Sequence, residues 1–333
     1  VINEVPGFVK QTGTKNYSYC FNTGPDGEIW LFNDNPDPTQ WNITVSVSSA
    51  QLAVNGYHGT KEVLYGRLEV FGAKIISESL QRVDFAVDFI APDFEIPLDL
   101  VVCHSHCKQF GHGEAVKDIP EGGTDWNVGF GRRKLQTFTI GKMPGRQVQI
   151  YNKRAEVARK LKTHWYEVWG FKKKDCPEIW RVELRAGKSH LKSWGITTFD
   201  QLEDRMGNMF ASAVQSVRLV DHAPEKGENV SRIGNHPLWA LLTAEVEQGL
   251  KDHVIPGITR KKIVEGRRDE IQKMYRAQLW GLAVSYAVAM GMDPVRALNE
   301  FTEFLANDFS AYAETDSKKF VKRFRKADER LFF

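Results

Sequence analysis

Tyr151 and Lys153 stand two residues apart in RQVQIYNKRAE (146–156). Val148 and Ile150 alternate with Gln147, Gln149, Tyr151 and Lys153, so the segment reads as a half-buried strand whose polar face carries a phenol beside an ammonium group. A tyrosine can attack phosphorus once its proton, with a free pKa near ~10, is removed or drawn away. A lysine about 7 Å along the strand favours the phenolate. Two more segments share this design. In LQRVDFAVDF (80–89), Val83, Phe85, Val87 and Phe89 fall on one face and Arg82, Asp84, Ala86 and Asp88 on the other. In IWRVELRA (179–186), Val182 and Leu184 face inward, leaving Arg181, Glu183 and Arg185 together.

Asp84 and Asp88 are about 13 Å apart by strand rise, too far for both to grip one ion closely. One of them with Glu183 would make a hard-cation site of the Mg²⁺ or Mn²⁺ type, with positions left for phosphate. Such a cation polarises a phosphodiester oxygen and supports charge on the leaving oxygen. Cross-strand ion pairs on a solvated sheet face would use the same residues without chemistry. The pattern alone leaves both readings open.

Other constellations are weaker. CHSHC (103–107) with His112 invites a zinc site, but Cys103 and Cys107 are spaced as on one helix face, His104 and His106 point elsewhere, and no second pair has finger spacing. Buried cysteines on a helix are the expectation there. Tyr166 sits in an aromatic cluster with Trp165 and Trp169, Tyr275 and Tyr286 in a long helical segment, and Tyr312 in a polar connection. Tyr151 alone combines a strand, a polar face and carboxylate-bearing neighbours.

The ordered set LQRVDFAVDF, TFTIGKMPGRQVQIYNKRAE and WRVELR resembles the replication initiation factor family, the rolling-circle Rep proteins of plasmids and phages with related relaxases of integrative elements. The likeness extends through NVSRIGNHPLW (229–239), covering roughly residues 40–240. It implies a tyrosine, matching Tyr151, that attacks one strand of origin DNA, stays on the 5′ phosphate and frees a 3′ hydroxyl. It also implies metal ligands at Asp84, Asp88 and Glu183, and charged neighbours of the tyrosine at Lys153, Glu156 and Arg146. A replication helicase and Mg²⁺ or Mn²⁺ are the expected partners, and the alanine-rich AVSYAVAMG stretch of the C-terminal helices suggests a homodimer. A relaxase of a mobile element uses the same chemistry. A hydrolytic nuclease with metal-activated water, and a DNA-binding regulator without catalysis, are the alternatives from other classes.

Composition agrees with a soluble globular chain: 333 residues, 42% hydrophobic and 26% charged, with no apolar run long enough to span a membrane. A chain beginning at Val1 reads as a trimmed or processed end. Four cysteines without a disulfide-like pattern point to a reducing cytoplasm. Net charge is only +3, but basic islands with interleaved aromatics recur at 131–134, 152–162, 170–174, 259–268 and 318–326. Any one could be a solvated face; five together point to a polyanion. Arg132, Arg133, Lys134, Arg154, Arg181 and Arg185 are the expected DNA contacts.

The elements that must position these residues follow from periodicity. Strands are expected at 27–32 and 43–48, a helix after an N-cap at Thr60, a second helix over 96–110, a hairpin over 127–153 with its turn at 143–145, and a helix over 154–168. The spacing after 197 is helical, with 221–237 as a linker. The expected fold is α+β: an antiparallel-rich sheet with helices on its apolar face. A nicking domain would span 1–236, and a helical region for DNA binding or dimerisation 237–333.

Overall fold

A computed structural model describes residues 5–103, 126–248 and 260–331, except positions 11, 12, 15, 25, 35, 36, 38, 132 and 133. In chain order, β1 (Phe8–Lys10), β2 (Tyr19–Asn22), β3 (Glu28–Phe32) and β4 (Ile43–Val47) lead into α1 (Ser49–Val70). Next come β5 (Arg82–Ile90), β6 (Val101–Cys103), β7 (Trp126–Gly131), β8 (Lys134–Gly141) and β9 (Arg146–Asn152), which runs directly into α2 (Lys153–Lys160). They are followed by α3 (His164–Val168), β10 (Ile179–Gly187), α4 (Lys188–Ser193), α5 (Phe199–Ser216), β11 (Val217–Leu219) and α6 (Pro237–Glu247). The chain ends in α7 (Arg260–Ala289), α8 (Pro294–Thr315) and α9 (Ser317–Leu331). The fold is α+β, with antiparallel sheets and a helical C-terminal region.

The chain forms two compact units. One comprises residues 1–73, 161–171 and 253–333, the other 74–160 and 172–252. The division differs from the single boundary expected near 236: the first strands group with the last helices, and α6 groups with β5 and with β7 to β10.

In the first unit β1, β2, β3 and β4 make an antiparallel sheet in sequential order. Phe71, just past α1, sets its ring edge-on to Phe21, Trp30 and Phe32 at 5.2–5.9 Å. The expected helix start at Thr60 is instead interior: Ser48 caps α1 by accepting from the Gln51 amide, and Gly56 breaks the helical backbone with φ 66°. Ile263 of α7 packs on Ala50 with Val54 and Val168. Two arginines of the 259–268 island serve this unit. Arg260 donates to the Thr23 carbonyl, and Arg267 lies 3.2 Å from Asp26, which is 4% exposed.

In the second unit the five-stranded antiparallel sheet has the order β5-β10-β9-β8-β7. Its apolar face holds Phe138, Ile140, Val148, Ile150, Val182 and Leu184, all buried. The Phe85 ring of β5 lies 5.6 Å from that of Phe210 of α5, tilted by 36°. A full capping box at Thr198 and Gln201 starts α5. Trp239 of α6 is fully buried and donates its indole N–H to the Val214 carbonyl at 2.9 Å.

Three expectations fail here. The segment after Ile96 is a short turn followed by strand β6, paired with β11, so Cys103 lies on a strand; the rest of the CHSHC cluster lies outside the described residues. Residues 154–168 form two helices, broken at Leu161, whose φ is 55°. The expected linker at 221–237 is anchored: Ile233 is buried with Val102 and Val220, and Arg218 donates to the carbonyls of Val230 and Ile233. The segment runs over the surface and is tied to the unit by Ile233, the one buried residue in it, and by the Arg218 hydrogen bonds.

Candidate active site

Strand register stacks the polar face into cross-strand rows. Asp88, Arg181, Tyr151, Thr137 and Gly129 form one row, and Ala86, Glu183, Gln149, Thr139 and Asn127 the next. Asp84, Arg185, Gln147 and Gly141 form the third. The sequence thus brings Asp84, Asp88, Tyr151, Arg181, Glu183 and Arg185 onto one face, as expected. Because Tyr151 opposes Arg181, it meets Glu183 diagonally, and such neighbours reach each other when side chains are long.

The Tyr151 hydroxyl donates to Glu183 Oε2 at 2.9 Å. The other oxygen, Oε1, accepts from Arg185 Nε at 2.8 Å and lies 3.9 Å from Arg82 Nη2. Burial would raise the Glu183 pKa, but the hydrogen bond and charge of Arg185, with those of Tyr151 and Arg181, outweigh it and hold the carboxyl below its ordinary value. Tyr151 moves the other way. Burial pushes its phenol well above the ordinary tyrosine value, the Arg181 charge opposes this, and Glu183 adds to it.

Arg181 is 7% exposed and grips Asp88 through Nε at 2.5 Å and Nη2 at 2.7 Å. Burial works against its charge, and the paired carboxylate more than offsets that. Arg181 is therefore committed inside the protein rather than open to a DNA phosphate. Asp84 accepts from Arg82 Nε at 2.7 Å and also meets Arg82 Nη2. Burial raises the Asp84 pKa; Arg82 opposes the rise and the Glu183 charge adds to it. Arg82, absent from the expected site, is thus the cation on which Asp84 and Glu183 converge. Its place on the polar face of LQRVDFAVDF was the available signal.

Two expected positions change. Lys153 does not extend the strand but opens α2. It is 3% exposed, pairs with Glu156 at 2.7 Å, and still lies 5.6 Å from the centre of the Tyr151 ring. Arg146 begins β9 on the face of Val148 and Ile150, opposite in parity to Tyr151 and about 17 Å away by rise, so it is not a neighbour of the phenol. Among the other expected DNA contacts, Lys134 is exposed and pairs with Glu95 at 3.0 Å, while Arg154 pairs with Glu178 at 2.8 Å. Arg132 and Arg133 lie outside the described residues.

Asp88 is taken by Arg181, but Asp84 and Glu183 both approach the Arg82 guanidinium, so two carboxylates already converge on one positive group. Two carboxylates completed by water and phosphate oxygens is a set that Mg²⁺ accepts. Among the described residues no group of three or more His, Cys, Asp or Glu could hold a metal.

No protein-family model and no curated protein matches the chain. Among solved structures it is similar to a rolling circle replication initiator protein from Geobacillus stearothermophilus, at 16% identity and a TM-score of 0.43, over 74% of this chain and 84% of that one. No helix among the described residues is long and apolar enough to cross a membrane.

Proposed function

We propose that the chain is a metal-dependent DNA strand transferase of the rolling-circle replication-initiator type. The observation that carries the reading is the 2.9 Å hydrogen bond from the Tyr151 hydroxyl to Glu183, on a sheet face that also holds a buried arginine directly opposite the phenol. The resemblance of the three strand motifs supports the choice of DNA as substrate.

Tyr151 attacks a backbone phosphorus. As its Oη–P bond forms, the P–O3′ bond breaks, and the phenol proton passes to Glu183 and from there through solvent to the freed 3′ oxygen. The opposed pKa shifts of Tyr151 and Glu183 keep the proton on the phenol at rest, so it leaves only as the new bond forms. Arg181 places fixed positive charge where phenolate character develops. Asp84 and Glu183 would hold Mg²⁺ or Mn²⁺, which supplies charge neutralisation at the phosphate oxygens.

Incubating the chain with Mn²⁺ and a library of single-stranded oligonucleotides tests this. A denaturation-resistant adduct mapped by mass spectrometry to Tyr151 is expected. Cleavage without any adduct would favour a water nucleophile and overturn the reading. Replication start and transfer of a mobile element share these steps, and extension of the freed 3′ end by a polymerase after helicase unwinding is the expected use. A second copy is the partner we propose for α7. In its C-terminal half Leu279, Trp280, Leu282, Val284 and Val288 are exposed, and so large an apolar surface is ordinarily covered in an assembly. Sedimentation showing only monomer at every concentration would reject it.

A further inference from the structure

The rows that cross the polar face of the sheet change character halfway. On β5 and β10 they carry the charged residues Asp84, Asp88, Arg181, Glu183 and Arg185. On β9, β8 and β7 they carry Gln147, Gln149, Thr137, Thr139 and Asn127 beside Tyr151, groups that form hydrogen bonds without charge. The strand-transfer chemistry above uses the charged half and the phenol at its border, and gives the neutral half no part. Gln149 stands at the junction. It lies directly opposite Glu183, which accepts from the phenol, and two residues from Tyr151 on the same face, about 7 Å by rise. Its Nε2 donates to Thr139 Oγ1 on β8 at 2.9 Å, which takes one of the two amide hydrogens. Gln149 makes no other hydrogen bond among the described residues, and its side chain is only half-buried. A donor and an acceptor therefore stand side by side on the open face. A phosphodiester cannot satisfy both, because its oxygens only accept and would repel Oε1. The edge of a nucleobase offers an acceptor beside a donor, the set with which a carboxamide makes two bonds at once. Asn127, exposed on the other side of Thr139 in the same row, extends the neutral surface.

We infer that Gln149 reads one base of the bound DNA strand beside the scissile phosphate, and that Thr139 holds its amide in place for the contact. The inference rests on the DNA reading above. Gln149 and Tyr151 share one face of β9 about 7 Å apart, and at ~3.4 Å of strand per nucleotide this puts the base within about two nucleotides of the nick. The charged half of the face then serves the phosphate, while Gln149 supplies sequence preference next to the bond that breaks.

The test uses the full chain as wild type, Gln149→Leu, Gln149→Glu and Thr139→Val, each incubated with Mn²⁺ and a randomised single-stranded DNA library. Both cleavage products are sequenced and aligned on the nick, and in a second arm the DNA bound by each protein is sequenced without cleavage. Circular dichroism melts establish that each variant folds. The expected result is a wild-type base preference within about two nucleotides of the nick that falls about tenfold in Gln149→Leu, at that position alone. Thr139→Val keeps the shape without the hydroxyl and should weaken the same preference. Gln149→Glu offers only acceptors and should redirect the preference to cytosine, whose N4 amine donates. A preference profile that is the same in all four proteins, or a loss of yield spread evenly over every sequence, makes Gln149 and Thr139 a structural cross-strand pair and overturns the inference. A Tyr151 adduct in those samples would leave the strand-transferase reading standing. The bound DNA separates the reverse case: a preference at one position that Gln149→Leu removes, with no adduct in any protein, keeps the base contact and rejects strand transfer. Wild-type binding without preference at any position rejects the base contact.

Discussion

Arg181 stands directly opposite Tyr151 where β10 pairs with β9, and it reaches the other way to hold Asp88 with two hydrogen bonds of 2.5 and 2.7 Å. The arrangement separates the two acidic residues of β5 by role. Asp88 neutralises a buried arginine, whereas Asp84 shares Arg82 with Glu183 nearer the surface. Asp88→Ala should therefore cost about 3–5 kcal/mol of stability, because it strands a charge inside the protein. Asp84→Ala should cost no more than about 1 kcal/mol, since Arg82 can turn to water. Denaturant titration of both variants checks this, and equal losses would show that the pairs are not distinct.

Tyr151→Phe removes one oxygen and little else. The covalent adduct should vanish while DNA affinity stays within about twofold, because the phenol makes no phosphate contact before reaction. The variant should also lose about 1.5 kcal/mol of stability, the hydrogen bond to the Glu183 carboxylate being charge-assisted. An adduct persisting on another tyrosine would reassign the nucleophile.

The acid limb of the reaction should be set by Asp84 before Glu183. Glu183 is held below its ordinary value, so its carboxylate persists until the pH falls through that depressed pKa. The stability that its pairing contributes is full above the ordinary carboxylate value and is lost as the pH falls from there through the depressed one. Asp84 is held above its ordinary value, so the folded protein takes up this proton earlier and gains stability as the pH falls through the raised pKa. Mn²⁺ affinity by calorimetry should thus decline on acidification before the Tyr151–Glu183 hydrogen bond is lost, and Glu183→Gln should abolish the adduct at every pH. Metal binding that is flat with pH until the protein unfolds would remove Asp84 from the site.

The chemical face was readable because period-two alternation in three short segments allows no other assignment of sides, and antiparallel pairing then brings those sides together. That Tyr151, Glu183, Asp84 and Asp88 share one face was legible that way. What alternation cannot give is register, so the Tyr151–Glu183 contact, the capture of Asp88 by Arg181 and the part played by Arg82 emerged only from the fold. Alternation also misled where a strand ends: Lys153 follows the pattern yet begins a helix. Nor could composition separate a surface loop anchored by one buried side chain from a linker, as Ile233 shows. The 259–268 island shows a different limit. Arg260 and Arg267 satisfy Thr23 and Asp26 within their own unit, a use that no local pattern distinguishes from a DNA contact.

The boundary between the units yields the last prediction. Residue 236, where composition places a domain end, lies just before Leu238, Trp239, Leu242 and Val246, all buried in the unit that carries the sheet. Losing one large buried aromatic alone typically costs about 3–5 kcal/mol, and domains hold only about 5–15 kcal/mol in total. A chain ending at 236 should therefore fail to fold around the sheet and form no adduct. A chain ending at 252 keeps α6 and should still form the Tyr151 adduct on single-stranded DNA, although the first unit loses Ile263, Arg260 and Arg267. It also loses the exposed lysines and arginines of α9, so its affinity for duplex should fall with a shallower salt dependence, by about 0.9 in slope for each phosphate contact removed. Far-ultraviolet circular dichroism, adduct yield and salt titration of the two truncations decide the matter. An active chain ending at 236 would make α6 dispensable, and an unchanged salt slope in the longer one would take α9 out of DNA binding.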